Sequence, residues 1–204
     1  MRTDEFRITG YDEEIREALD ATEKLGAGCG LSRKENLRLR LLGEELLGLV
    51  RSAAGEVEAR YWAEREDNAF QLHLLADISM NREMRKRLIG VSTAGTNAAV
   101  KGFTGRLREM IAVLLLPKNE KPSMLSLGLM SMGSPGGFRA GEASYEWLMT
   151  NYKAGIKQDG EEYREAWDEL EKSVLSKLAD EIRISIAGSR VEILVDKTFP
   201  AGDR

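Results

Sequence analysis

Val57-Glu58-Ala59-Arg60-Tyr61-Trp62-Ala63-Glu64-Arg65-Glu66-Asp67-Asn68-Ala69-Phe70-Gln71-Leu72-His73-Leu74-Leu75-Ala76-Asp77 is the stretch on which the fold turns. Val57, Ala59, Tyr61 and Ala63 alternate with charged or amphipathic neighbours, and Phe70, Leu72, Leu74 and Ala76 do so again beyond Asp67-Asn68. Period-two alternation is the signature of strands, and an Asp-Asn pair between two such runs is turn chemistry, so an antiparallel hairpin is expected. One face of it is apolar and the other mostly polar, the pattern of a sheet that helices cover on one side only.

Upstream, Phe6 and Ile8 alternate with Glu5, Arg7 and Thr9, which predicts a short first strand ending at Gly10. Ile15, Ala18, Leu19, Thr22 and Leu25 then fall on one helical stripe, which the Gly26–Gly30 run stops. The next helix is the best marked in the chain. Ser32 and Glu35 have capping-box spacing, in which each side chain satisfies a free backbone N–H of the first turn. Leu39, Leu42, Leu46, Leu49, Val50 and Ala53 follow at helical spacing.

Downstream, Ile182, Ile184 and Ile186 turn at Gly188-Ser189 into Val191, Ile193 and Val195, a second one-sided hairpin. Between the hairpins, helices are expected near Met80–Ile89 and Asn97–Leu116, then one carrying Tyr145, Leu148, Met149 and Tyr152, and one from Tyr163 to Leu178. Residues 118–141 are rich in Met, Gly, Ser and Pro, and 118–179 reads as a partly helical insertion. The expected class is an α/β (α+β) two-layer sandwich: one domain over 1–204, a mixed sheet of about five strands with helices on one face.

Charge and composition narrow the function. The 204 residues carry 34 acidic and 30 basic side chains, a net charge of −4, which disfavours extended nucleic-acid binding. The Arg82, Arg85, Lys86, Arg87 cluster is the local exception and reads first as a solvated helix face. Met1-Arg2-Thr3-Asp4-Glu5 leads into no apolar run, and the longest aliphatic run, Ile111–Leu116, is far short of the roughly 20 residues a membrane helix needs. With Cys29 as the one cysteine, a cytoplasmic setting without disulfides is expected.

Strict enzyme signatures are absent, and whether the chain is an enzyme is left open. His73 is the single histidine, so a multi-histidine metal site is not expected, and the residue reads as an exposed position on the polar face of its strand. Two groups can carry chemistry. Glu44 and Glu45 lie on the capped helix, Glu45 at the border of the apolar stripe with Arg38, Gly48 and Ser52 nearby, and Glu44 pointing away. A border carboxylate beside a glycine can act as a general base or metal ligand; the competing reading pairs it with Arg38 or Arg51. Ser92-Thr93-Ala94-Gly95-Thr96-Asn97, followed by Lys101-Gly102-Phe103-Thr104-Gly105, places small and hydroxylated residues before a helix, where free N–H groups and the dipole favour an anion. The competing reading is an N-cap with glycines at a tight helix crossing.

The order of these parts resembles the GHKL (Bergerat) ATPase superfamily, a histidine kinase-like ATPase fold, most closely its anti-sigma-factor serine kinases. It comprises a strand, a helix, a Glu-bearing helix, a hairpin ending in Asp77, a Gly-containing helix and a final hairpin. The resemblance implies ATP binding, with Glu44 or Glu45 at the family's catalytic Glu and Asp77 as the reader of the adenine amino group. Gly95, Lys101, Gly102 and Gly105 would then stand near the phosphates. The family's magnesium-binding Asn, four residues after the Glu, is here Gly48 or Leu49, and Asp77 is followed by Ile78-Ser79 rather than x-Gly. The first departure counts against magnesium binding and kinase activity. Leu41-Leu42-Gly43-Glu44-Glu45 and Gly95–Gly102 also look like segments of uncharacterised bacterial proteins. The alternative expectation is a protein–protein interaction or dimerisation module that has lost the nucleotide. Its contacts would come from Met124, Met130 and Met132, or from a homodimer through Tyr163–Leu178.

Overall fold

The computed structural model describes residues 1–51, 58–77, 138–140, 144–156, 173–187 and 189–200. In chain order these form β1 (Phe6–Ile8), α1 (Asp12–Gly28), α2 (Arg33–Arg51), β2 (Glu58–Glu66), β3 (Ala69–Asp77), β4 (Phe138–Ala140) and β5 (Ser144–Leu148). Then come α3 (Met149–Ile156), α4 (Val174–Leu178), β6 (Glu181–Ala187) and β7 (Arg190–Thr198). Hydrogen-bonded neighbours run β1-β2-β3-β7-β6-β5-β4, a seven-stranded sheet of α+β class. The pairs β1–β2, β2–β3 and β4–β5 are antiparallel.

The chain divides into two compact units. The first holds residues 1–77, 174–183 and 192–204. Its core begins at the capped helix. Ser32 N–H and hydroxyl both donate to Glu35 Oε2, at 2.8 and 2.6 Å, and Glu35 N–H returns to Ser32 Oγ at 3.4 Å. The reciprocal pair fixes where α2 starts. From that start, Leu39, Leu42, Leu46, Leu47, Leu49 and Val50 are buried, because α2 meets α1, β3 and α4.

The hairpin sets the sheet's two faces. Asp67 takes a φ of 53°, the left-handed region Asp tolerates in tight turns, and β2 pairs β3 from Glu66↔Ala69 to Glu58↔Asp77. Ala59, Tyr61 and Ala63 are fully buried, as are Ile8 of β1 and Leu72 of β3. Tyr61 reaches between the helices: its hydroxyl lies 2.9 Å from that of Thr22, which also donates to Ala18 O at 2.9 Å. A Cβ on Gly43 would stand 3.0 Å from both the Tyr61 hydroxyl and Leu19, so α2 approaches this closely only because position 43 lacks one. Burial pushes the Tyr61 phenol's pKa up, with the Thr22 hydrogen bond acting the other way.

α4 leads into Asp180, which ties off the final hairpin. Its N–H donates to Asp196 O at 2.9 Å, and its carboxylate accepts from Thr198 N–H at 2.6 Å and Lys197 Nζ at 2.7 Å.

The second unit holds residues 78–173 and 184–191. Its described part includes the β4–β5 pair, in register Phe138↔Trp147, Arg139↔Glu146 and Ala140↔Tyr145, followed by α3. Trp147 and Met149 are buried. This departs from the helix expected through Tyr145 and Leu148: that segment is strand up to Leu148 and helical only from Met149. Tyr145 and Trp147 are strand-favouring aromatics spaced by two, and pairing with β4 overrides the helical spacing of Tyr145, Leu148, Met149 and Tyr152. Strands β4 and β5 are the two beyond the five expected. The helices expected near Met80–Ile89 and Asn97–Leu116 and most of Tyr163–Leu178 lie outside the described residues; α4 is the last turn of the latter.

Candidate functional site

Two groups of polar side chains stand apart from the core. The first is on α2. Glu44 is exposed and Glu45 is half-buried at the edge of the leucine belt, where their angular positions on the helix put them. Among the described residues neither has a hydrogen-bond or ion-pair partner. The pairing of Glu45 with Arg38 does not form; the Arg38 charge instead helps lower the pKa of Glu35, after the larger hydrogen bonds from Ser32. One turn further on, Gly48 faces open space: a Cβ there would meet no atom within 4 Å. Glu45 is thus a half-buried carboxylate without a partner among the described residues, one turn from a glycine at which a side chain would meet no atom.

Asp77 is exposed at the last position of β3, paired in register with Glu58, the first residue of β2. Gly95, Lys101, Gly102 and Gly105, like the Arg82–Arg87 cluster and Met124, Met130 and Met132, lie outside the described residues. The structure therefore positions Glu44, Glu45 and Asp77 individually, on α2 and at the end of β3.

The second group lies on the face of β2, β3 and β7 opposite the one that α1 and α2 cover, and it centres on His73. The residue is on the polar side of its strand, as expected, but it is buried at 9% exposure. Trp62, its cross-strand partner, stacks on the imidazole with ring centroids 4.6 Å apart and planes within 10°. The Arg2 guanidinium sits 4.7 Å from the Trp62 ring centroid. Nε2 lies 3.0 Å from Glu64 Oε1 on β2, and Nδ1 lies 3.8 Å from Glu192 Oε1 on β7. Alternation alone makes His73 an exposed residue; flat neighbours on both sides of a strand bury it. The signal was available in the sequence as Trp62, opposite His73 once the hairpin register is set by Asp67-Asn68.

Around this cluster the open face is laced with ion pairs: Arg7 with Glu58 at 2.6 Å, Arg60 with Glu5 at 3.0 Å and Arg2 with Glu5 at 3.5 Å. Gln71 donates to Asp196 at 2.8 Å. Most of these polar groups satisfy one another, but among the described residues His73 Nδ1 is buried without a hydrogen-bond partner.

Comparison with protein-family models, curated proteins and solved structures finds no match. Among the described residues no helix is long and apolar enough to cross a membrane.

Proposed function

We propose that this chain is a cytoplasmic regulatory protein that binds an adenine nucleotide through a GHKL-like α/β sandwich and acts through a protein partner, without efficient phosphoryl transfer. The observation that carries the reading is Glu45: a half-buried carboxylate on α2 with no partner among the described residues, one turn from Gly48, where there is space for a group the size of a Cβ. A carboxylate held at the rim of a core without a counter-charge is poorly placed for stability and well placed for a ligand. The order of elements supports it too. A strand, two helices, a hairpin that ends on Asp77 and a final hairpin are among the parts on which the resemblance rests; the Gly-containing helix lies outside the described residues. Gly48, which has no amide side chain, supports weak magnesium binding and hence weak kinase chemistry.

Calorimetric titration with ATP and ADP, with and without magnesium, tests this. The expected result is binding that changes little when magnesium is withdrawn and is lost in Asp77→Asn and Glu45→Ala. An absence of heat at millimolar nucleotide would sink the reading and leave an interaction module that keeps the fold for its surface.

A further inference from the structure

We propose that His73 Nδ1 and Glu192 bind a zinc-type divalent ion on the open face of the sheet. The other ring nitrogen fixes the tautomer. A carboxylate only accepts hydrogen bonds, so the 3.0 Å contact to Glu64 assigns the hydrogen to Nε2. In the neutral ring Nδ1 is then a bare lone pair. That atom is buried and has no hydrogen-bond partner among the described residues. Glu192 Oε1 lies 3.8 Å away, so among the described residues a lone pair and a carboxylate face each other.

The spacing suits a metal better than a hydrogen bond. At 3.8 Å it exceeds hydrogen-bond range. Zinc bonds of about 2.0–2.1 Å to nitrogen and about 2.0–2.2 Å to oxygen place the two ligand atoms about 3.3–3.5 Å apart at the tetrahedral angle and up to about 4.3 Å apart when collinear. The separation of 3.8 Å falls inside that span.

The surroundings are those of a metal-binding histidine. Such a ring commonly donates its second N–H to a carboxylate, which fixes the tautomer and the ring's orientation; Glu64 accepts it here. Trp62 stacks on the ring and Arg2 lies over Trp62, so the imidazole is held against rotation. Glu192 is 46% exposed, so its carboxylate can be reached from solvent. Among the described residues no three His, Cys, Asp or Glu side chains gather round one ion, so the proposed site has two protein ligands and is completed by water. It is independent of the nucleotide reading, which rests on α2 and the end of β3.

Because His73 is the chain's one histidine, an isotope-labelled imidazole reports on this site alone. Zinc titrated into the full-length, histidine-labelled protein near neutral pH should move the Nδ1 nitrogen resonance saturably at one equivalent, while Nε2 keeps its proton. Glu192→Gln should abolish the response. Glu64→Gln should weaken it by about 10–100-fold, because it removes the group that orients the ring. Circular dichroism of both variants should match the parent. An Nδ1 resonance unmoved by excess zinc would overturn the proposal, as would a shift of equal size in Glu192→Gln. So would a ring already carrying protons on both nitrogens, since a proton would then occupy the gap.

Discussion

Tyr61 and Trp62 are adjacent on β2 and belong to different molecules in a physical sense. Tyr61 points under the helices, where it is fully buried and its hydroxyl is matched to Thr22. Trp62 points to the open side, where it is half-buried by Arg2 and His73 and takes part in no hydrophobic core. The helix-covered face is built by exclusion of water and tolerates no gap. The open face is assembled from planar and charged groups that cover one another, and polar groups with unmet bonding can persist there. Chemistry therefore has more freedom on the open face and along the exposed rim of α2 than in the core.

Truncation should separate the two faces. Tyr61→Ala removes a buried aromatic between α1 and α2, and the fold should lose about 3–5 kcal/mol in denaturant unfolding. Trp62→Ala, which removes the stack on His73 and the platform for Arg2, should lose about 1–2 kcal/mol. Tyr61→Phe, which leaves the ring and removes one hydrogen bond, should lose about 1 kcal/mol. Equal losses for the two alanine variants would break the comparison, since both faces would then be core.

A smaller effect sharpens it at the end of the sheet. Burial alone would raise the pKa of the Asp180 carboxyl, but hydrogen bonds from Lys197 and Thr198 outweigh this and hold it below its ordinary value of 3.8. A carboxyl with a lowered folded-state pKa stabilises the fold above the unfolded value, and that contribution disappears as pH falls through the folded one. Melting temperature followed from about pH 5 to about pH 2 should therefore fall less steeply in Asp180→Asn than in the parent. Asp180 is 44% exposed on its side chain, so screening keeps the difference small. Parallel acid limbs would show that the tie contributes nothing.

How much of this was legible in the sequence depends on how local the determining physics is. The Ser32–Glu35 box and the alternation on either side of Asp67-Asn68 are contests between near neighbours, and α2 and the β2–β3 hairpin follow from them. Strand β5 is hidden from the sequence because Tyr145, Leu148, Met149 and Tyr152 satisfy a helical spacing, whereas pairing with β4 decides. Glu45 is legible as a border residue, but its lack of a partner among the described residues is a tertiary fact. The burial of His73 needs three strands at once: Trp62 and Glu64 from β2 and Glu192 from β7. No window on the sequence contains them.

Calorimetry asks whether a nucleotide binds; hydrogen–deuterium exchange with and without ATP asks where, and so tests the central claim most directly. Binding as proposed should slow exchange over the second half of α2, around Glu45 and Gly48, and at Ala76-Asp77, with the open-face amides of β7 unchanged. Protection confined to other segments, or no protection at saturating ATP, would contradict the account.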